Sequence, residues 1–281
     1  MTAVLRAACV QVTSTPDIAA NVDAATGAIR AAAERGAKLV ALPENVALLG
    51  PRKVMRAHAG DEDHHGAVRA FRAAAAASGV WLLAGSVAVA QRSGRLANRS
   101  LLIDDGGAIV ARYDKIHMFD VDLEGGESYR ESETYAPGEQ AVVTATPWGP
   151  LGLSVCYDLR FPHLYRALAE AGARLLAIPS AFTRPTGAAH WHVLLRARAI
   201  ETGCFVLAPA QCGIHYGRRA TYGHTLIVDP WGEIMAEAGE QPDIILADLD
   251  MTRVDEARAM VPSLHNDRSF RAPAPLSRAA E

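Results

Sequence analysis

The sequence predicts an α/β fold, a four-layer α-β-β-α sandwich in which helices cover the outer faces of two mixed β-sheets. Two observations support this prediction. Short apolar runs of strand length alternate with segments of helical periodicity in both halves of the chain, and no linker separates the halves. Of the 281 residues, 50% are hydrophobic, which suffices to bury a large core. We therefore expect one domain over residues 1–281, ending in a polar, proline-containing tail over 262–281.

In the first half of the chain, local signals mark where elements begin and end. Asp17 can cap the first helix, and Gly36 and Gly79 follow the first and second helices as stop signals. Glycine-containing turns separate the later strands. The predicted helices run from the Asp17 cap to Glu34 and over 63–78, and the predicted strands are 4–12, 38–42, 80–89, 97–103 and 108–113.

The second half repeats this alternation after a long polar segment. Residues 124–138 lack periodicity and predict a surface loop, a type of segment that often carries function. Pro162 fits the first turn of the helix that follows. The predicted strands are 151–155, 174–178, 204–208, 225–228 and 244–249, and the predicted helices are 161–171 and 190–201, the latter with Val193, Leu194, Ala197 and Ile200 on its apolar face.

Charge and cysteine usage exclude several classes of protein. With 28 Lys and Arg against 31 Asp and Glu, the net charge of −3 argues against a nucleic-acid binder or a polybasic membrane anchor. No apolar run is long enough to span a bilayer, and the first residues do not resemble a signal peptide. The four scattered cysteines predict free thiols and a cytoplasmic protein.

Cys156 is the first candidate for chemistry. It follows the apolar strand over 151–155 and precedes the helix that Pro162 begins. A side chain at such a turn lies at the carboxyl edge of the sheet, where backbone N–H groups can hold an oxyanion. A cysteine there is a candidate nucleophile. The alternative is a small buried hydrophobic residue, the more common role of a lone cysteine.

Two other predicted strands end in ionisable residues. Glu44 comes just after the strand over 38–42, and Lys115 comes just after Tyr113. A glutamate could deprotonate a thiol, and a lysine could stabilise the charge of a tetrahedral intermediate. Taken singly, each is weak evidence, because a glutamate or lysine at the end of a strand is usually a solvated cap.

Together these segments resemble the nitrilase superfamily of carbon–nitrogen hydrolases. The resemblance is greatest to the Nit branch, and within it to the Nit1-type amidases of deaminated glutathione, because Gln211-Cys212-Gly213 precedes Arg219-Ala220-Thr221-Tyr222-Gly223-His224. The omega-amidases fit the Gln-Cys-Gly segment less well. The segments that carry the resemblance are 42–44, 113–117, 152–162, 179–182, 190–191, 196–201 and 223–232.

The resemblance implies a role for each of these residues. Glu44 would be the general base, and Lys115 would hold the oxyanion together with the backbone N–H of Tyr157. Cys156 would attack as a thiolate, favoured by the neighbouring lysine, and form a thioester. A second glutamate, Glu131 or alternatively Glu127, would orient the substrate and pair with Lys115.

Other side chains are candidates for the pocket or for a metal. Phe182, Thr183, His190 and Trp191 follow the strand next to that of Cys156 and could line the pocket, although His190 and Trp191 could instead pack the start of a helix. His64-His65 and His190-x-His192 lack a complete ligand set at zinc-like spacing, so we expect no metal and no cofactor.

These observations predict an amidohydrolase that converts a linear carboxamide to a carboxylate and ammonia. Two alternatives remain open at this point: a nitrilase that uses the same thiol, and a non-catalytic binding protein of the same fold. The resemblance also implies a homodimer or a higher homo-oligomer.

Overall fold

The computed structural model describes residues 4–123, 126, 128–217 and 219–273. Glu127, the alternative second acid, and residues 274–281 of the predicted tail lie outside this part. Residues 262–273 contain no helix or strand. The helices are α1 (Ile18–Glu34), α2 (Arg52–His58), α3 (Gly66–Ser78), α4 (Pro162–Glu170), α5 (Arg184–Thr202) and α6 (Thr252–Met260).

The strands fall into two mixed sheets and two short hairpins. In chain order they are β1 (Val4–Gln11), β2 (Leu39–Ala41), β3 (Trp81–Leu83), β4 (Val87–Ala90), β5 (Leu96–Ile103), β6 (Ile109–Asp114), β7 (Asp120–Asp122), β8 (Ser128–Arg130), β9 (Val142–Thr144), β10 (Leu151–Leu153), β11 (Leu175–Ala177), β12 (Phe205–Ala208), β13 (Cys212–Tyr216), β14 (Arg219–Tyr222), β15 (Leu226–Val228), β16 (Ile234–Glu237) and β17 (Asp243–Asp250).

The two sheets have similar topologies. Within the described residues, the first has the order β17-β1-β2-β3-β5-β4, with β6 also paired to β5, and β1, β2 and β3 are parallel. The second has the order β16-β15-β12-β11-β10-β9, with β10, β11 and β12 parallel. The outer pairings of both sheets are antiparallel. In each sheet the carboxyl ends of the parallel strands therefore lie at one edge.

Side-chain alternation along the strands builds four layers. In β1, Leu5, Ala7 and Cys9 join one core cluster with Leu151 and Leu153 of the second sheet. The intervening residues of β1 and β2 join a second cluster with the apolar residues of α1 and α3. Helices α4 and α5 pack on the other side of the second sheet. The predicted α-β-β-α sandwich is therefore confirmed.

The predicted strand over 80–89 is two strands, because Gly85 interrupts it. Gly85 has a φ of +61°, and a Cβ at this position would lie 1.9 Å from the carbonyl oxygen of Pro43. The chain turns there, next to the segment that carries Glu44. A close approach between two backbones requires glycine at this point.

The predicted loop over 124–138 is more ordered than expected in its described part. Strands β7 and β8 pair as a hairpin, and a 3₁₀ helix over Glu131–Glu133 follows. Strands this short carry little periodicity, so the sequence pattern did not reveal them. The short helix α2 and the hairpin of β13 and β14 escaped prediction for the same reason.

Helix α5 begins earlier than predicted and buries a different face. Val193 and Ile200, predicted for the core, are 68% and 56% exposed. Trp191, Leu195 and Ala199 are buried instead. Both stripes have helical spacing, so periodicity could not choose between them. The buried stripe includes Arg198, whose guanidinium donates to the carbonyl oxygen of Leu159 and lies over the ring of Tyr165.

No helix in the described ranges is long and apolar enough to cross a membrane.

His215 on β13 links the hairpin of β13 and β14 to the segment after β1. Its Nδ1 lies 2.7 Å from the carbonyl oxygen of Ser14, which only accepts, so Nδ1 carries the proton. Nε2 then accepts from the Thr221 hydroxyl at 2.7 Å. Both contacts suit the neutral ring, and burial lowers the pKa of His215 to about 4.

This buried histidine predicts a stability that depends on pH. An unfolded histidine has a pKa of about 6.5, so between this value and the folded pKa of about 4 the unfolded chain binds more protons. The contribution of His215 to the free energy of unfolding is complete above about pH 6.5 and is lost as the pH falls toward 4. We expect His215 to account for about 3 kcal/mol of the decrease in unfolding free energy between pH 7 and pH 4.

Urea unfolding of the wild type and His215→Asn at several pH values measures this contribution. The variant is expected to be less stable at pH 7 but to have a shallower dependence on pH. Identical slopes between pH 6.5 and pH 4 would show that His215 does not carry the effect.

Candidate active site

Three strand ends from two sheets meet at one cavity. Glu44 follows β2, Lys115 follows β6, and Cys156 follows β10. All three side chains line a cavity of about 320 Å³. The structure thus brings together residues that are 71 and 41 positions apart in the chain. Each is at least 92% buried, so the solvated strand-end alternative does not describe Glu44 or Lys115.

Cys156 occupies a constrained turn. Its φ of +52° is in the left-handed region, which non-glycine residues rarely adopt. Its N–H donates to the carbonyl oxygen of Pro179 at 2.9 Å, which ties the turn to the end of β11. A 3₁₀ helix over Cys156–Arg160 follows at once. The chain therefore reverses sharply at Cys156 and exposes 8% of this residue at the cavity wall.

Lys115 lies between two carboxylates. Its Nζ is 3.0 Å from Oε1 of Glu44, and 3.0 and 2.8 Å from the two oxygens of Glu131. The backbone N–H of Phe119 also donates to Glu131 at 2.7 Å and fixes that carboxylate. Glu131 therefore lies where the sequence analysis expected the second acid, directly against Lys115.

Asn98 is a member of this cluster that the sequence analysis missed. Its Nδ2 donates to Glu44 at 2.9 Å and to Glu131 at 3.2 Å. It is fully buried on β5, with its amide between the two acids. The signal in the sequence was weak, because Asn98 is one of three consecutive polar residues in β5 and only its burial shows that it needs a polar partner.

The charges of the cluster set the resting state of the thiol. Burial opposes the charge of Lys115, but the carboxylates of Glu131 and Glu44 outweigh it and raise the pKa of its ammonium. The pKa of the Cys156 thiol is raised, first by burial and then by the negative charge of Glu44, which the positive charge of Lys115 offsets only in part.

This result modifies the expectation that Lys115 favours a thiolate. Its one positive charge is shared by two carboxylates, so the cluster has a net negative charge before the thiol ionises. Cys156 therefore rests as a thiol beside Glu44, and any reaction through its sulfur would require a base to take this proton.

Asp158 connects the turn of Cys156 to the strand that carries Lys115. It is fully buried and accepts four hydrogen bonds, from the Val155 N–H at 2.8 Å, the Tyr113 hydroxyl at 2.6 Å, and the N–H and Nδ1 of His117 at 3.0 and 2.7 Å. The ring of His117 stacks on Phe161. We infer that Asp158 is a positioning residue that fixes Cys156 relative to Lys115.

Replacing Asp158 by asparagine is expected to lower the free energy of unfolding by about 3–5 kcal/mol. Each carboxylate oxygen of Asp158 accepts two hydrogen bonds. An asparagine keeps one of these acceptor oxygens and places its own N–H₂ donor against the other two donors. Urea unfolding measures the loss, and Asp255→Asn is the control, because Asp255 is 68% exposed and its one ion pair within the described part of the chain is with Arg174. Equal stability of the two variants would contradict this role for Asp158.

Five further residues were predicted to bind substrate, and the structure divides them. Tyr157, Phe182 and Thr183 line the cavity. Trp191 does not, because it packs beneath Phe182 with ring centroids 4.9 Å apart and donates from Nε1 to the carbonyl oxygen of His224. His190 also lies outside the wall and contacts Arg160 at 3.2 Å. The packing alternative therefore describes Trp191, whereas His190 is exposed and neither lines the cavity nor packs in the core.

The remaining cysteines lie away from the cavity wall. Cys9 and Cys204 are in the core. Cys212 is also fully buried, and its thiol contacts the hydroxyl of Thr13. All four cysteines are free thiols.

Arginines give the cavity its positive character. Arg52 and Arg130 pair with Glu133 and Asp122, respectively. Arg160 and Arg219 make no ion pair with a carboxylate among the residues described. Arg219 lies over the ring of Tyr129 and donates from Nη2 to the carbonyl oxygen of Ala181, while its buried Nη1 has no hydrogen-bond partner there.

Comparison with known proteins agrees with this arrangement. The sequence model of the carbon-nitrogen hydrolase family matches residues 6–259. A deaminated glutathione amidase from Synechocystis sp. is 43% identical over 264 residues, which cover 92% of this chain and 97% of the relative.

Two solved structures have the same fold. Nit3 from Saccharomyces cerevisiae, a member of branch 10 of the nitrilase superfamily, has a TM-score of 0.85 and 31% identity, covering 93% of this chain and 96% of that one. A mutant of the amidase from Nesterenkonia sp. AN1, with the acetamide moiety of fluoroacetamide added covalently at its active-site cysteine, has a TM-score of 0.81 and 27% identity, covering 94% of each chain. The protein is therefore a member of the carbon-nitrogen hydrolase family, in the Nit branch of the nitrilase superfamily, and a hydrolase of non-peptide carbon–nitrogen bonds.

Proposed function

We propose that Cys156 is the nucleophile of an amidase reaction, with Glu44 as general base and acid and Lys115 as the oxyanion ligand. The observation that supports these roles best is the meeting of a thiol, a carboxylate and an ammonium group in one buried cavity. A non-catalytic binding protein would have no need for a lysine fixed by two acids beside a thiol.

In the first half of the reaction, Glu44 takes the proton of the Cys156 thiol as the sulfur attacks the amide carbonyl carbon. The carbonyl oxygen becomes an oxyanion, held by the Lys115 ammonium and the Tyr157 N–H. The carbon–nitrogen bond then breaks, and the departing nitrogen takes the proton from Glu44. The product of this half is a thioester on Cys156 and a free amine or ammonia.

In the second half, Glu44 removes a proton from water as the water oxygen attacks the thioester carbon. The carbon–sulfur bond breaks, and the sulfur recovers its proton from Glu44. Glu131 and Asn98 keep Lys115 and Glu44 in place throughout, because both contact these groups before substrate binds. Such preorganisation lowers both barriers without further rearrangement.

For the substrate, we propose a linear amide that bears a carboxylate, with deaminated glutathione as the leading candidate. The name of the Synechocystis relative supports this choice. Arg160 and Arg219 lie in the cavity wall without a carboxylate partner among the described residues, and a guanidinium is well suited to bind a carboxylate. The cavity of about 320 Å³ fits a small metabolite.

The leaving group depends on the substrate. A primary carboxamide releases ammonia, whereas the amides of deaminated glutathione are secondary and release an amine. The test is therefore a screen of primary amides, deaminated glutathione and nitriles that detects ammonia, amine and carboxylate. We expect amides, and carboxylate-bearing amides above all, to be hydrolysed. Turnover of nitriles with no turnover of amides would favour the nitrilase alternative.

We also propose that the chain acts as one catalytic domain and assembles as a homodimer or higher homo-oligomer in the cytoplasm. The exposed apolar residues Val193 and Ile200 on α5 support assembly, and the four free thiols fit a reducing compartment. Sedimentation velocity of the wild type and Val193→Asp tests assembly. A monomeric wild type at micromolar concentration would contradict it.

A further inference from the structure

A second cluster of chemically active side chains lies outside the cavity. It joins His192 of α5, His224 after β14 and Glu237 at the end of β16. His192 Nε2 and His224 Nδ1 each lie 2.9 Å from the same oxygen, Oε1 of Glu237. One ligand atom from each of the three residues lies within 4.8 Å of the others.

The fold holds these three side chains in place from several directions. His224 has a φ of +56°, in the left-handed region. Its N–H donates to the carbonyl oxygen of Gly239 at 3.1 Å, and its carbonyl oxygen accepts from Trp191 Nε1 at 2.7 Å. Tyr222 stacks on the His224 ring with centroids 4.3 Å apart and meets the His192 ring edge-on at 6.0 Å. The backbone and ring planes are thus fixed before any ligand binds.

We propose that His192, His224 and Glu237 form a binding site for one divalent transition-metal ion of the zinc class. Two imidazole nitrogens and one carboxylate oxygen are a ligand set that zinc prefers, with the fourth position open to water. The side chains of His192, His224 and Glu237 are 29%, 22% and 37% exposed, so an ion can reach them from solvent.

Metal binding replaces the two hydrogen bonds of the free cluster. In the free cluster both ring nitrogens donate to Glu237 Oε1, and hydrogen bonds from the two histidines overcome the effect of burial and lower the pKa of the Glu237 carboxyl. To bind zinc, each neutral ring moves this proton to its other nitrogen and presents a lone pair. Tetrahedral ligands about 2.0–2.1 Å from zinc lie roughly 3.3 Å apart, so the two nitrogen–oxygen spacings need to open by only a few tenths of an ångström.

Sequence spacing could not reveal this site. The motif His190-x-His192 suggested a pair, but His190 contacts Arg160 instead. The partners of His192 are 32 and 45 residues away, far beyond the local spacing of zinc motifs.

Zinc titration tests the proposal independently of the amidase reaction. The background is Cys156→Ala, which removes the one thiol in the cavity wall that could compete for zinc. Competition with a chromophoric chelator after metal removal is expected to give one zinc per chain with a Kd of about 1–10 μM. Adding Glu237→Gln or His192→Asn is expected to weaken zinc binding at least tenfold. In the same background, His64→Asn is the matched control, because His64 pairs with Asp61 elsewhere on the surface and its loss should leave the Kd unchanged.

Thermal unfolding provides a second readout. At a zinc concentration about ten times the Kd, zinc is expected to raise the Tm of the Cys156→Ala protein by about 3–5 °C and that of the two site variants by about 1 °C or less. Each site variant is also measured without zinc, so that a loss of structure is seen separately from a loss of binding. Unsaturable zinc binding, or the same Kd with and without Glu237→Gln and His192→Asn, would overturn the proposal.

Discussion

Replacing Cys156 by alanine is expected to lower the rate of amide hydrolysis by at least about 10⁴-fold, or roughly 5.5 kcal/mol of transition-state stabilisation. The sulfur is the only side-chain atom in our mechanism that bonds to the acyl carbon, so no other side chain can replace it. The fold should persist, because the substitution removes one sulfur atom at the wall of a cavity and leaves the Pro179 hydrogen bond of the backbone intact.

Cys212→Ala is the matched control for this experiment. Its thiol is also buried and also contacts a neighbouring polar group, Thr13, but it lies away from the cavity wall. We expect this variant to keep activity within about threefold of the wild type. Hydrolysis that survives in Cys156→Ala, or a comparable loss in Cys212→Ala, would remove Cys156 from its assigned role.

Replacing Lys115 by methionine is expected to abolish measurable turnover and to lower the free energy of unfolding by about 3–5 kcal/mol at pH 7. Methionine retains most of the volume but not the charge. Glu44 and Glu131, which now share one ammonium group at 2.8–3.0 Å, would then be buried together without a cation. Removing one partner of a buried ion pair is costly because it leaves uncompensated charge.

Urea unfolding at pH 7 measures this loss, with Lys53→Met as a control at an exposed position of α2. Adding Glu131→Gln to Lys115→Met separates charge from packing, because it removes one of the two carboxylates that are left without a cation and should restore part of the stability. Equal stability of the single and the double variant would contradict uncompensated charge as the cause of the loss.

The sequence predicted the parts of the site that follow strand ends. Glu44, Lys115 and Cys156 each come at or just after the end of a predicted strand, where side chains reach the edge of a sheet. The resemblance to a known superfamily then supplied their order and Glu131. The fold class followed from the same alternation of short apolar runs and helical segments.

The rest of the site depends on contacts between distant segments. Asn98 and Asp158 act through hydrogen bonds to residues 54 and 45 positions away, respectively, and local spacing carries no trace of them. The prediction of which face of α5 is buried was wrong for a related reason. Two helical stripes fit the pattern, and the choice between them came from Arg198 and its partners in another segment.

Hydroxylamine partitioning tests the thioester on Cys156 most directly. Hydroxylamine competes with water for an acyl group on the enzyme and yields a hydroxamate. Two substrates share the same acyl group, one a primary amide and the other a secondary amide. If both pass through one thioester on Cys156, the ratio of hydroxamate to carboxylate must be the same for both at a given hydroxylamine concentration. A ratio that differs between the leaving groups, or hydrolysis without any hydroxamate, would contradict a common acyl-enzyme and with it the assigned role of Cys156.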